Sequence, residues 1–170
     1  NDVHGGFATH VRVPARGLCR VPDLTDPARN PAGLTLDALS VVADAVSTPY
    51  AAITRTGLEA GDLAVWIGAG GVGGFGVQIA AALGAHVVAI DLDDARLAVM
   101  ARHGAALTIN AATQDPKAIR KQVKAFADTH GIPSWRYRIF EASGHPAGQS
   151  LAFALLAALP IAPAGAGAFL

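Results

Sequence analysis

The stretch IGAGGVGGFG, Ile67 to Gly76, holds six glycines in ten residues and satisfies the pattern G-x-G-x-x-G in two overlapping registers. One register is Gly68, Gly70, Gly73; the other is Gly71, Gly73, Gly76. In a dinucleotide-binding turn the first glycine bends the chain off a strand and the second lets backbone approach a pyrophosphate. The third lets the following helix pack closely on the strand. The first glycine must therefore abut the strand. Gly68 directly follows the apolar, β-rich run Leu63 to Ile67, whereas Gly71 would leave three residues unassigned. The first register also leaves a helix of about thirteen residues, roughly 20 Å long, enough to return along a strand of five or six residues. Its inward face would be Val72, Gly76, Ile79, Ala80 and Leu83. The amides of Gly70, Gly71, Val72 and Gly73 would meet a phosphate at the positive end of the helix dipole. Gly74 and Gly76 then fall inside the helix, where glycine costs up to ~1 kcal/mol relative to alanine. Close packing and simple tolerance both account for them.

A lone glycine pattern is weak, but here the context agrees. The next apolar run, HVVAID, ends at Asp91, 18 residues after Gly73. An acid at that point can accept the ribose hydroxyls of an adenosine half. The segment DLDD, Asp91 to Asp94, places three carboxylates where a 2′-phosphate would sit, and like charges there are costly. NAD is thus preferred over NADP. Arg96 has three open readings: a phosphate partner, a neighbour of the ribose, or a counter-charge for Asp93.

Outward from this core the pattern is regular. Strands are expected at Leu63–Ile67, His86–Asp91, Ala106–Asn110 and Tyr137–Ala142. Helices are expected at Gly71–Leu83, Asp94–His103, Pro116–Thr129 with Asp115 as N-cap, and about Pro146–Leu159. Such alternation specifies an α/β fold, a Rossmann-type doubly wound parallel sheet. Upstream, STPYAAITRTG carries helix signals, with Thr48 as N-cap, Pro49 first and Gly57 as the stop. LTLDALSVVADAV also reads as helical. GFATHVRV, from Gly6 to Val13, alternates as a half-exposed strand does, so a β-rich piece is expected to precede the sheet. The tail LPIAPAGAGAFL is anomalous: a strand is due there, yet Pro160 and Pro163 remove ladder donors. The last strand is expected to be absent or frayed, leaving the sheet incomplete.

Composition sets the boundaries. Apolar residues make up 52% and charged residues 15% of 170, with 13 basic against 13 acidic side chains. That suits a well-buried core in a chain the size of one domain or one domain plus a piece of another. It argues against nucleic acid, whose phosphates demand clustered Lys and Arg. Lys117, Arg120, Lys121 and Lys124 recur at helical spacing and read as a solvated face. The single cysteine, Cys19, makes no internal disulfide, so a reducing cytoplasm is the expected compartment. No apolar run is long enough for a membrane span. The chain opens at Asn1 and its one methionine is Met100, which reads as a fragment of a longer protein.

In the order GGFATHVRVP, DAVSTPYAA, GAGGVGGFGVQIAAALGAHVVAID, HGAALTIN and IFEASG, the sequence resembles the medium-chain dehydrogenases/reductases of the zinc alcohol dehydrogenase type. NDVHGGFATH, VVADAVSTPY and GAALTIN resemble, more narrowly, the 6-hydroxycyclohex-1-ene-1-carbonyl-CoA dehydrogenases of anaerobic benzoyl-CoA degradation. The resemblance implies that residues 1–45 are the end of a β-rich catalytic domain and residues 46–170 an NAD-binding domain. It implies zinc as a second cofactor of the complete enzyme, with Asp44 at the position where many members place a cysteine ligand. It further implies Thr48 beside the nicotinamide, Arg96 at the adenosine ribose, and Ser143 with His145 on the adenine side. The implied reaction is oxidation of a secondary alcohol to a ketone, zinc polarising the hydroxyl and NAD taking the hydride. The implied substrate is a small-molecule alcohol, in the narrower family a cyclic acyl-CoA. A homo-oligomer is expected for the complete enzyme and no activity for this chain alone.

Three alternatives stay open at this level. A zinc-free NADPH quinone or enoyl reductase shares the scaffold, though Asp91 and Asp44 speak against it. A non-catalytic nucleotide-binding module fits the incomplete active site. A methyltransferase also uses a glycine turn, but generally with an acid just before the glycines, where Trp66 and Ile67 stand.

Overall fold

The computed structural model describes residues 8–157 and the backbone of residues 168–169. The chain divides into two compact units, Asn1–Ser40 and Val41–Leu170.

In the first unit the described residues form turns and one short 3-10 segment, Ala15–Gly17. The strand expected over Gly6 to Val13 is not formed in its described part, 8–13, and Gly6 and Phe7 lie outside the described residues. No strand is formed among the described residues 8–45. Alternation consolidates a strand only when a neighbour completes the ladder, and none is present among the described residues of this unit. Val11 and Val13 stay about half exposed, at 52% and 45%.

The second unit opens with a 3-10 segment, begun at Ala38 and ending at Ala43, in place of the longer helix expected there. Helix α1, Ser47–Thr56, follows. Val46 is its N-cap, so Thr48 lies inside the first turn instead of capping it. The turn starts earlier because the Thr48 amide donates to the Asp44 carbonyl at 2.9 Å, and that of Tyr50 to Val46 at 3.2 Å. Gly57 ends the helix in the left-handed region, φ 60°.

Then come β1 (Leu63–Ile67), α2 (Gly71–Ala82), β2 (His86–Asp91), α3 (Asp94–Arg102), β3 (Leu107–Asn110), α4 (Pro116–Thr129), β4 (Tyr137–Glu141), α5 (Pro146–Leu156) and β5 (Ala168–Phe169). All the strands pair in parallel in the order β3-β2-β1-β4-β5. The doubly wound α/β reading holds. The tail differs from expectation: Ala168 and Phe169 pair with Ile139 and Phe140, beyond both prolines, so a short fifth strand does form. Residues 158–167, including the expected end of the last helix at Leu159, lie outside the described residues.

Parallel strands covered on both faces bury every side chain, and all five residues of β1 are buried. Leu63, Val65 and Ile67 join one apolar cluster with α4 and α5; Ala64 and Trp66 join another with α2 and α3. Trp66 stacks on Phe140, ring centroids 4.3 Å apart. Helix α2 buries Gly73, Gly74, Gly76, Val77 and Ala80, and Gly76 lies against the Trp66 ring. Leu83, expected to face inward, is 45% exposed. The face nearest the sheet takes the smallest residues, because the Trp66 ring occupies the space a larger side chain would need.

Candidate functional site

The pairing register aligns the carboxyl ends of the strands. Ile67 sits beside Ile90 and Glu141, and Asp91 beside Asn110. The chain runs outward through β1, β2 and β3 and returns to β4 on the other side of β1. The reversal makes a crevice at the carboxyl end between β1 and β4, where open α/β sheets bind ligands. A cleft of about 570 Å³ lies there, lined in part by Gly68, Gly70, Asp91, Arg96, Ser143 and His145. That volume is in the range of small-molecule and cofactor sites.

The glycine turn is built for close approach. Gly68 has φ +92°, and a side-chain carbon on it would meet the Ser143 nitrogen at 2.6 Å. A Cβ on Gly73 would collide with the carbonyl oxygen of Gly68, so only glycine lets α2 start this close to the turn. At Gly70 and Gly71 a Cβ would meet nothing within 4 Å. These positions have the properties that the strand-abutting register demands: a bend at Gly68, open space at Gly70, a tight crossing at Gly73. The first main-chain amide of α2 to find a helical partner is that of Gly74, donating to Gly70 at 2.7 Å. Those of Gly70, Gly71, Val72 and Gly73 donate to no group among the described residues. A helix start leaves about four such amides, and the first of these residues, Gly70, lines the cleft, an arrangement suited to an anion.

Asp91 closes the second side. Its Oδ2 accepts from the Ala69 amide at 2.6 Å, and its Oδ1 from the amides of Leu92 at 2.8 Å and Asp93 at 3.0 Å. The other two carboxylates of DLDD are also engaged. Asp93 caps α3, accepting from the amides of Ala95 and Arg96, and Asp94 accepts from the Asn110 side chain at 2.6 Å. Arg96 lies between Asp91 and Asp93, 3.8 Å from each, which is its counter-charge reading. Two of the three carboxylates, Asp91 and Asp93, line the cleft.

The third wall was not legible as a unit in the sequence. Glu141 ends β4 and accepts from the amides of Ser143 at 2.8 Å and Gly144 at 3.3 Å, and from the Ser143 hydroxyl. The Ser143 oxygen accepts in turn from the His145 amide at 3.2 Å. His145 caps α5, its Nδ1 accepting from the Ala147 amide at 3.2 Å. An accepting Nδ1 carries no proton, so this cap uses the neutral imidazole with hydrogen on Nε2. The local signal was a histidine just before Pro146 at a helix start.

Asp44 and Thr48 do not line the cleft. The Thr48 hydroxyl donates to Asp44 Oδ1 at 2.7 Å, and both residues are exposed. A catalytic zinc takes three protein ligands, and no group of three His, Cys, Asp or Glu suited to a metal occurs among the described residues. Asp44 alone does not make a zinc site there. A dinucleotide does fit: glycines without side chains at the turn, unpaired amides at the helix start and a carboxylate at the second strand end.

The family model for zinc-binding dehydrogenases matches residues 71–159, just over half of the chain. An alcohol dehydrogenase of Geobacillus stearothermophilus is 33% identical over 123 residues, covering 72% of this chain and 34% of that protein. An L-threonine 3-dehydrogenase of Bacillus velezensis is 33% identical over 147 residues, 86% of this chain and 38% of its own. The solved alcohol dehydrogenase of Thermotoga maritima superposes with a TM-score of 0.62 at 34% identity, over 72% of this chain and 33% of its own. The chain thus spans about a third of the length of these relatives. By this match over residues 71–159 and by relatives a third identical to it, the chain belongs to the zinc-binding dehydrogenase family.

Proposed function

We propose that this chain is the NAD-binding part of an alcohol dehydrogenase that oxidises a secondary alcohol to a ketone. One observation carries the reading: the start of α2, whose first four amides have no partner among the described residues, opens at Gly70 on a cleft that Asp91 lines from the neighbouring strand. The pyrophosphate would rest on the amides of Gly70 to Gly73, and the adenosine ribose against Asp91. Ser143 and His145 would bound the adenine side, Ser143 held by Glu141 and the His145 amide by the Ser143 hydroxyl. When bound, the nicotinamide accepts the hydride. Two carboxylates at the ribose end, Asp91 and Asp93, oppose the added charge of a 2′-phosphate, which supports NAD over NADP.

Thr48, at the nicotinamide end, and Asp44, as a zinc ligand of the complete enzyme, rest on family membership. A cyclic acyl-CoA as the alcohol rests on the likeness of NDVHGGFATH, VVADAVSTPY and GAALTIN to one branch of the family. The same family likeness supports a homo-oligomer of the complete protein, and the lone Cys19 supports a reducing cytoplasm. Among the described residues no helix is long and apolar enough to cross a membrane.

Calorimetric titration of this chain with NAD and NADP tests the reading. NAD is expected to bind at least tenfold more tightly, without turnover of alcohols by the chain alone. Equal or tighter binding of NADP would remove the roles of Asp91 and Asp93. Failure to bind either would remove the dinucleotide site.

A further inference from the structure

Two imidazoles far apart in the chain meet at the amino end of the sheet. His86 is the first residue of β2, and His130 is the C-cap of α4. His86 shares its face of β2 with Val88 and Ile90, the face that packs against α4, so the strand presents it to the end of that helix. The ring centres of the two histidines lie 4.6 Å apart, with the planes at 54°. Phe126, one turn back on α4, packs against both rings, 4.3 Å from that of His130 and 6.4 Å from that of His86. His130 Nδ1 lies 2.8 Å from the Phe126 carbonyl oxygen. A carbonyl only accepts, so Nδ1 carries the proton, and in the neutral ring Nε2 keeps a free lone pair. The His86 ring is half-buried and hydrogen-bonds to no described residue, and its nitrogens stay within reach of solvent.

An imidazole nitrogen binds zinc at about 2.0–2.1 Å, which puts the ion about 3.2 Å from the ring centre. Two rings on one ion, at about 90° to 110° from each other, then have centres about 4.5 to 5.2 Å apart. The observed separation of 4.6 Å falls in that interval. A second nitrogen tied to a main-chain carbonyl, as in His130, is the usual support of a metal-bound histidine. We infer that His86 and His130 together hold a divalent transition metal of the nickel, copper and zinc group, with water filling its remaining positions. Imidazole suits these ions, whereas magnesium and calcium take oxygen ligands. No third His, Cys, Asp or Glu joins the pair among the described residues, so the ion is an exchangeable clip between β2 and α4. Asp91 and the cleft are at the other end of β2, and NAD has no part in the site.

Calorimetric titration of the untagged full chain with Ni²⁺ alone tests the inference. Affinity is expected to fall at least about tenfold in His86→Gln and in His130→Gln. It should be unchanged in His103→Gln, whose histidine follows α3 on the other face of the sheet. Equal affinity in wild type and both pair variants would overturn the site, as would displacement of Ni²⁺ by excess Mg²⁺. If a pair variant fails to fold, the wild-type chain decides by NMR, through the broadening of amide signals by substoichiometric Cu²⁺. Losses centred on Val87 and Gly131, with Gly70 and Asp91 keeping their signals, would support the pair. Losses confined to other residues, or none, would overturn it. Neither measurement depends on dinucleotide binding, so the site stands or falls apart from the proposed function.

Discussion

Two aspartates stand at opposite ends of one sheet, and they are held by different chemistry. Asp62 precedes β1 at the amino end and its side chain is 2% exposed. Its Oδ1 accepts from Arg136 Nε at 2.6 Å. Its Oδ2 accepts from the Glu59 amide at 3.0 Å and lies 3.4 Å from Arg138 Nη2. The two guanidiniums also donate to main-chain carbonyls, Arg136 to Ala60 and Arg138 to Thr56, Trp135 and Tyr137. That end of the sheet is closed by side-chain charge. At the carboxyl end Asp91 is held by main-chain amides, and the space beside it is a cleft. A buried carboxylate neutralised by two cations is a fastening. A carboxylate held by amides, with the exposed Arg96 at 3.8 Å as its one ion-pair neighbour among the described residues, is open to select what enters beside it.

Removing the fastening is the strongest way to break this contrast. Asp62→Ala leaves two partly buried guanidiniums without their anion, a change that costs roughly 3–5 kcal/mol in buried pairs. Arg136 is 28% exposed and its solvation softens the loss, so a value near the lower limit is expected in urea unfolding. NAD affinity of the folded protein should stay within about twofold. A tenfold loss of affinity with unchanged stability would show that the two ends are not separate in function.

The next effect in size is in the shared core. A Cβ on Gly76 would run into the ring of Trp66, which cannot retreat because Phe140 stacks behind it at 4.3 Å. Overpacking of this kind costs about 1–3 kcal/mol, so Gly76→Ala should lower the urea midpoint clearly. A stability equal to wild type would mean that α2 can shift freely on the sheet. At the carboxyl end, Gly73→Ala sets a Cβ against the Gly68 carbonyl, a backbone atom that can move only with the turn. NAD binding should weaken at least tenfold, about 1.4 kcal/mol. Unaltered affinity would count against the register Gly68, Gly70, Gly73.

The two ends also differ in how far the sequence exposes them. At the carboxyl end, the elements, the glycine register and Asp91 follow from local pattern, because a strand, a turn and a helix N-terminus are contiguous in the chain. The amino end was silent. Asp62 meets Arg136 and Arg138 from 74 and 76 residues away, and no spacing rule links them before the sheet does. The Glu141 latch sits between these cases: it is local, but a glutamate reaching two residues ahead has no periodic signature. Periodicity misled at two places. It put Leu83 in the core, although α2 ends at Ala82 and Leu83 is its C-cap, 45% exposed. It made a strand of Gly6 to Val13, whose described part, 8–13, has no ladder partner among the described residues.

The smallest effect separates the two glycines that the sequence left equivalent. Gly74 and Gly76 both lie inside α2, and each forgoes up to ~1 kcal/mol of helix propensity. A Cβ on Gly74 would meet Met100 Cε at 3.4 Å, Ala69 O at 3.6 Å and Met100 Sδ at 3.7 Å. The nearest of these is the end of an unbranched, adaptable side chain, so Met100 can turn aside where Trp66 cannot. Gly74→Ala should therefore change stability by less than about 1 kcal/mol, and toward stabilisation, since the propensity gain outweighs a contact of ordinary van der Waals length. Measured beside Gly76→Ala in the same urea titration, the two substitutions should have opposite signs. Equal destabilisation would mean that α2 is pressed on the sheet along its whole length, and the distinction drawn from the Trp66 ring would fall.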